Sequence, residues 1–140
     1  MSGTVGGSVI GSSRGTGVIG GQLLYRFTSG TSVLHIPESA STVVIECIGG
    51  GGSGAGGSGY KREGGSGGGG GALARMSFPA DSLTGTLTIT VGAGGAAPSP
   101  QGHGVFGAAT TVTYGGRTIL SAYGGGGGTQ GTSNDQTMTG

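Results

Sequence analysis

The sequence predicts an all-β protein: a small antiparallel β-sandwich whose glycine-rich, polyproline-II-like loops cluster at one end. Three observations carry that expectation. Helical periodicity is nearly absent, because Gly or β-branched residues interrupt every window that would place apolar side chains at i, i+3, i+4 and i+7. Several short segments instead alternate apolar and polar residues with the period of two that a half-buried strand requires. Finally, 40 of the 140 residues are glycine, roughly four times the ordinary usage of about 7%, and they are gathered into runs between the alternating segments.

The elements follow in chain order. Residues 1–22 carry "GGSVIG" and "GTGVIGG", which place the apolar pairs Val9–Ile10 and Val18–Ile19 nine residues apart. This segment is too short and too rich in glycine to build a core of its own. It is expected to be an extended arm that docks its apolar pairs in grooves or adds a strand to a neighbour's sheet; the competing reading is a disordered tail. The glycine-rich β domain is expected over residues 23–131. It opens with "QLLYRFT" and "SVLHIP", two short strands separated by Ser29-Gly30-Thr31. Thr42–Ile48 alternates Val43, Ile45 and Cys47 against Val44, Glu46 and Ile48. Ala72–Phe78 sets Ala72, Ala74, Met76 and Phe78 against Arg75 and Ser77. Leu83–Val91 is the cleanest strand, with Leu87, Ile89 and Val91 opposing Thr86, Thr88 and Thr90. Thr110–Tyr114 and Arg117–Tyr123 flank Gly115-Gly116, a strong two-residue hairpin signal. Residues 132–140, "TSNDQTMTG", form a polar tail.

Strand direction locates the glycine. If Thr42–Ile48 runs up and neighbours pair antiparallel, as short connections favour, then the run after Ile48, the "GAGGAAPSPQGHG" after Val91 and the "GGGGGTQG" after Tyr123 all leave from the top. The ordinary turns, "PADSLTG" and Gly115-Gly116, occupy the bottom. Glycine without side chains adopts extended polyproline-II geometry readily, but that helix has no internal hydrogen bonds, so its backbone groups need partners. Runs gathered at one end supply them to each other. An ordered glycine layer is therefore expected in preference to disordered loops.

Composition narrows the function classes. Four prolines and no Gly-X-Y period exclude collagen. Six Lys or Arg against five Asp or Glu give a net charge of +1, with no basic stripe for nucleic acid. No apolar stretch reaches the length of a membrane span, and the N-terminus does not read as a signal peptide. Cys47 is the only cysteine; its place in the alternation makes it a small core residue. His35, Glu46 and Asp81 fall on separate elements with no catalytic spacing, and no nucleophile has a base beside it. Matches to a dinucleotide-binding glycine pattern are compositional, lacking the strand and amphipathic helix that give the pattern meaning. Neither enzyme activity, a cofactor nor a metal is expected.

The pattern resembles the glycine-rich domains of bacteriophage tail-fibre and tail-tip proteins. The matching elements are "YRFTSGTSVLHIPESASTVVIECIGGGGSGAGG", "GGSGGGGGALARMSFPADSLTGTLTITVGAGGAA" and "YGGRTILSAYGGGGGTQG", and together they cover about Leu23 to Gly131. "ITVGAGG", Ile89–Gly95, is the most recognisable part. The resemblance implies a non-enzymatic virion structural protein, made in the host cytoplasm, often at a distal fibre end that touches the host surface. Similar adhesins stack polyglycine helices and place variable residues at the turns between them.

Two interruptions of the glycine are candidate receptor-facing residues. Tyr60, Lys61, Arg62 and Glu63 break the first block near its middle, where a climbing and returning chain has its apex. An exposed Tyr beside Lys and Arg can stack on and hydrogen-bond a surface polysaccharide or an outer-membrane protein; the competing reading is a solvated loop tip. Pro98, Pro100, Gln101 and His103 form the matching interruption of the second block, stiffened by the prolines. His103 has no second His or Cys positioned with it, so it reads as a loop donor rather than a metal ligand. Val9, Ile10, Val18 and Ile19 are the candidates for attachment to other virion proteins, and a homo-oligomer is expected. The alternatives are a capsid-decorating or other architectural virion protein without a receptor, and a cell-wall or coat-like glycine-rich protein.

Overall fold

The computed structural model describes residues 3–9, 15–19, 22–57 and 64–131. The protein is all-β, a sandwich of two packed sheets. Among the described residues nine strands form: β1 (Gly3–Val9), β2 (Gly15–Ile19), β3 (Gln22–Arg26), β4 (Gly30–His35), β5 (Ala40–Ile48), β6 (Leu73–Pro79), β7 (Thr86–Val91), β8 (Thr110–Tyr114) and β9 (Arg117–Ala122). One sheet has the order β2-β3-β1-β5-β6 and the other β4-β7-β8-β9. The second sheet is antiparallel throughout. In the first, β2–β3 and β5–β6 are antiparallel, whereas β1 pairs in parallel with both β3 and β5.

The alternation read from the sequence sets the register. β5 and β6 pair Val43 with Phe78, Ile45 with Met76 and Cys47 with Ala74; Val43, Ile45 and Cys47 are buried, Phe78 and Ala74 pack against the core, and Met76 is exposed. Outside, Glu46 stands opposite Arg75, at 3.7 Å between carboxylate and guanidinium. Within the second sheet, Leu34 pairs with Leu87, and Ile89 with Val112. Tyr25, Phe27, Leu34, Ile36, Val43, Ile45, Cys47, Leu87, Ile89, Val112 and Ala122 make the core, with Ala80 and Leu83 buried against it. Burial of side chains of this size contributes about 1.5–3 kcal/mol each before chain entropy is subtracted.

Three departures from the expected elements have physical causes. β7 starts at Thr86 rather than Leu83, because Ala80–Ser82 form a single 3-10 turn and Gly85 follows at φ +112°. That conformation favours glycine, and Leu83 is buried before the strand begins. β4 starts at Gly30, at φ +68° and inside the expected Ser29-Gly30-Thr31 connection, and it lies in the opposite sheet from β3. Residues 3–9 and 15–19, expected in an arm, are strands of the chain's own first sheet. The β8–β9 hairpin is as expected: Gly115 and Gly116 have φ +56° and +77°, the paired positive values of a type I′ turn.

Candidate display site at the tip of the glycine layer

Beyond the sheets the chain forms five glycine-rich runs, at residues 49–57, 64–72, 92–97, 102–109 and 123–130. All five leave or enter the same end of the sandwich. They are neither helix nor strand, yet fifteen backbone hydrogen bonds of 2.8–3.0 Å link them. The pattern repeats every third residue. Gly49, Gly52 and Ala55 donate to Ala72, Gly69 and Ser66 of the second run. The intervening Gly50, Ser53 and Gly56 donate to Ala108, Val105 and Gly102 of the fourth. Gly95 donates to Gly51, and Gly125 and Gly128 donate to Gly50 and Ser53. The first run is thus bonded to all four others. The second and fourth are in turn bonded to the fifth, through Ser66, Gly69 and Ala72 and through Gly104 and Gly107. A repeat of three residues with no bonds inside a run is that of polyproline-II helices. At about 3.1 Å per residue, the first run carries its far end about 25 Å beyond β5.

Glycine is required here for space and not for φ. A Cβ on Gly49, Gly52, Gly107 or Gly125 would stand 2.0 Å from a carbonyl oxygen of the adjacent run. A Cβ on Gly64, Gly67 or Gly70 would meet nothing within 4 Å. Those three positions are again three residues apart, on the outer face of the second run. The few side chains inside the layer do work that glycine cannot. Ser53 Oγ accepts from the Val105 N–H at 2.8 Å, and Ser66 Oγ accepts from the Thr129 N–H at 2.7 Å.

A single buried hydroxyl joins the layer to the sheets. Thr110 is fully buried. Its Oγ1 donates to the Ile48 carbonyl at 2.6 Å and accepts from the Gly92 N–H at 2.9 Å. It therefore ties together the ends of β5 and β7, where two runs begin, at the first residue of β8. Sequence reasoning missed it; its one signal is a threonine at a position that strand alternation assigns to the core. Cys47 is buried nearby in β5 as expected. Burial, with a smaller contribution from the Glu46 charge, pushes its thiol up to about 11.

At the far end of the layer, Pro98–Gln101 form the turn between the third and fourth runs. Gly56 donates to Gly102, and its own Cα lies so close to Pro100 that a Cβ would stand 2.4 Å from the Pro100 carbonyl. His103 Nδ1 accepts from the Gln130 N–H at 3.2 Å, bringing the fifth run to the same place. The tip thus gathers Gly56, Ser66, Pro100, His103 and Gln130 from the first, second, fourth and fifth runs and the turn before the fourth. Pro98, Pro100 and Gln101 are at least partly exposed, and His103 is exposed. Tyr60, Lys61, Arg62 and Glu63, between the first and second runs in the sequence, lie outside the described residues, and so does Ile10, which follows β1. Val9 is the last residue of β1, and Val18 and Ile19 end β2. Phe106 and Tyr123, which sequence reasoning did not single out, are exposed aromatic residues of the fourth and fifth runs.

Other chemistry is sparse. His35, Glu38 and Asp81 line a cleft of about 360 Å³ at the opposite end of the sandwich, all three exposed. Among the described residues no group of three His, Cys, Asp or Glu side chains is placed to hold a metal ion. Among the same residues no helix is long and apolar enough to cross a membrane.

A family model described as a glycine-rich domain matches residues 27–140. The chain belongs to this glycine-rich domain family. The match begins at Phe27, in the core beside the end of β3, and takes in every glycine run. No curated protein and no solved structure matched the chain.

Proposed function

We propose that this glycine-rich domain protein is a non-enzymatic structural component of a bacteriophage virion. In this reading it is a tail-fibre or tail-tip protein that presents the free end of its glycine layer to the host surface. The observation that carries the reading is the cross-bonded layer itself. Its five runs hold the turn residues about 25 Å from the sheets, on a support whose interior admits almost no side chains. Such a layer separates a constant scaffold from a tip whose residues can change without disturbing it. The phage assignment comes from the sequence resemblance over about Leu23 to Gly131. The contacts would come from Tyr60, Lys61, Arg62 and Glu63 and from Pro98, Pro100, Gln101 and His103, with a surface polysaccharide or outer-membrane protein as receptor.

The test is adsorption of a phage carrying the protein. Replacing Tyr60-Lys61-Arg62 with Gly-Ser-Gly, and separately Pro98 and Pro100 with Gly, is expected to abolish or sharply reduce host adsorption while particles still assemble. Full adsorption by both variants would refute the recognition role. The architectural alternative is a capsid-decorating protein without a receptor. Hundreds of copies spread over a shell support decoration, and a few copies at the tail end support recognition.

A further inference from the structure

β1 occupies an unusual place in the first sheet. On one side it pairs with β3, from Thr4 opposite Gln22 to Gly7 opposite Tyr25. On the other it pairs with β5, from Gly3 opposite Ala40 to Val9 opposite Cys47. The other neighbours of these strands are β2 and β6. Strands β3 and β5 are therefore held apart by a slot one strand wide, and β1 fills it. Withdrawing β1 breaks neither the β2–β3 ladder nor the β5–β6 ladder. It would, however, leave two facing rows of N–H and C=O groups without partners, a costly arrangement inside a sheet.

What β1 supplies is mostly backbone. Three of its seven residues, Gly3, Gly6 and Gly7, have no side chain, so both ladders are read through peptide groups. A slot of that kind requires a strand in the right register and does not discriminate whose strand it is. Five residues, Ile10-Gly11-Ser12-Ser13-Arg14, separate β1 from β2 in the sequence. We propose that β1 is an exchangeable strand, entering the β3–β5 slot of a second copy of this chain and so linking copies to one another. The partner is identical by construction, since the donated strand and the accepting edges belong to the same sequence. The inference stands independently of the host-recognition reading, because it uses neither the glycine layer nor its tip. Exchange is governed by concentration: the chain's own strand competes at an effective concentration of the order of mM, so linkage is favoured where copies are held close together.

Two measurements on the full-length chain test this. In a Cys47→Ala background, one chain carries Thr4→Cys and another Gln22→Cys, positions that face each other across the β1–β3 ladder. The two are refolded together at high concentration and treated with a short bismaleimide. Exchange predicts a cross-linked dimer containing one chain of each kind, seen by mass spectrometry and absent when either chain is treated alone. The second variant deletes residues 11–13. β1 and β2 lie two strand spacings apart, about 9.6 Å. The two residues left between them reach only about 10–11 Å fully extended, with no slack to pass around the end of β3. This variant is expected to be a dimer or higher oligomer by light scattering at concentrations where the parent is monomeric. Failure of the mixture to give the heterodimer, together with a shortened variant that is monomeric or unfolded, would overturn the proposal.

Discussion

Replacing Gly107 with alanine separates an ordered glycine layer from a set of loops. The new Cβ would stand 2.0 Å from the Gly50 carbonyl oxygen, where ordinary contact begins near 3.4 Å. The fourth run must therefore retreat by about 1.4 Å, or the first must. The Gly50-to-Ala108 bond, now 2.9 Å, would open past 4 Å, well beyond hydrogen-bonding range. The neighbouring bonds from Gly107 to Gly125 and from Ala108 to Ala93 share the displaced segment. At a net 0.5–1.5 kcal/mol for each bond lost, with more for any group left buried and unpaired, the expected cost is about 3 kcal/mol. Gly70→Ala is the control. It lies in the same kind of run, but its Cβ meets nothing within 4 Å, and φ is not in the left-handed region. There alanine restricts the unfolded chain and is expected to stabilise by about 0.4–1 kcal/mol. Thermal and denaturant unfolding should move in opposite directions for the two variants, by about 10 °C downward for Gly107→Ala at a few degrees per kcal/mol. Equal and small effects at both positions would refute the layer, because disordered loops treat every glycine alike.

Other outcomes follow from single groups. Thr110→Val keeps the shape but removes the hydroxyl that serves Ile48 and Gly92; a loss of about 2–4 kcal/mol is expected in chemical denaturation, with Thr110→Ser restoring most of it. The raised Cys47 thiol makes a signed prediction: the unfolded chain releases this proton near pH 9 and the folded chain near 11. The stability associated with the protonated thiol is therefore complete below pH 9 and falls between about 9 and 11, by at most about 2–3 kcal/mol, and the difference from Cys47→Ala measured across that window should show it. Arg75→Ala breaks the ion pair with Glu46, but the Arg75 side chain is 67% exposed, so the change in unfolding free energy should stay below about 1 kcal/mol. In hydrogen exchange, the bonded amides of Gly52, Gly69 and Gly107 should be protected relative to unbonded amides of the same runs.

The sequence carried much of this architecture, and the reason is visible in which parts it carried. β5, β7 and β8 were legible because each buries one face, and burial of one face imposes an alternation that a reader can follow. The shared end of the glycine runs was legible because strand direction alternates, so that turn chemistry at Gly115-Gly116 fixes where the next run must leave. β1 and β2 were not legible as sheet strands. Glycine dilutes their alternation, and a strand whose contribution is two backbone ladders leaves little trace in side-chain pattern. Thr110 was hidden for a related reason: its function depends on two carbonyl and amide groups, at Ile48 and Gly92, that lie 62 and 18 positions away in the chain. At the tip, the prolines marked the turn between the third and fourth runs, but nothing in their spacing revealed that Gln130 would meet His103.

The bonding repeat also determines where the protein can vary. A polyproline-II run presents three rows of positions around its axis. In the first run, the rows at Gly49 and Gly52 and at Gly50 and Gly56 face backbone so closely that a Cβ is excluded, and only Gly51 and Gly54 have ordinary room. The second run leaves an open row at Gly64, Gly67 and Gly70. A side chain at one of these closed glycines would break bonds between runs, so selection for a folded layer keeps those positions glycine whatever the layer is for; Ser53 and Ala55 are the places in the same rows that hold one. Freedom remains in the open rows and in the turns, where the chain leaves the bonded array. The turns gather at one end and the open rows face sideways. A sequence that diversifies while keeping this layer therefore concentrates its large and charged side chains at the tip. Among the described residues, Pro98, Pro100, Gln101 and His103 stand there.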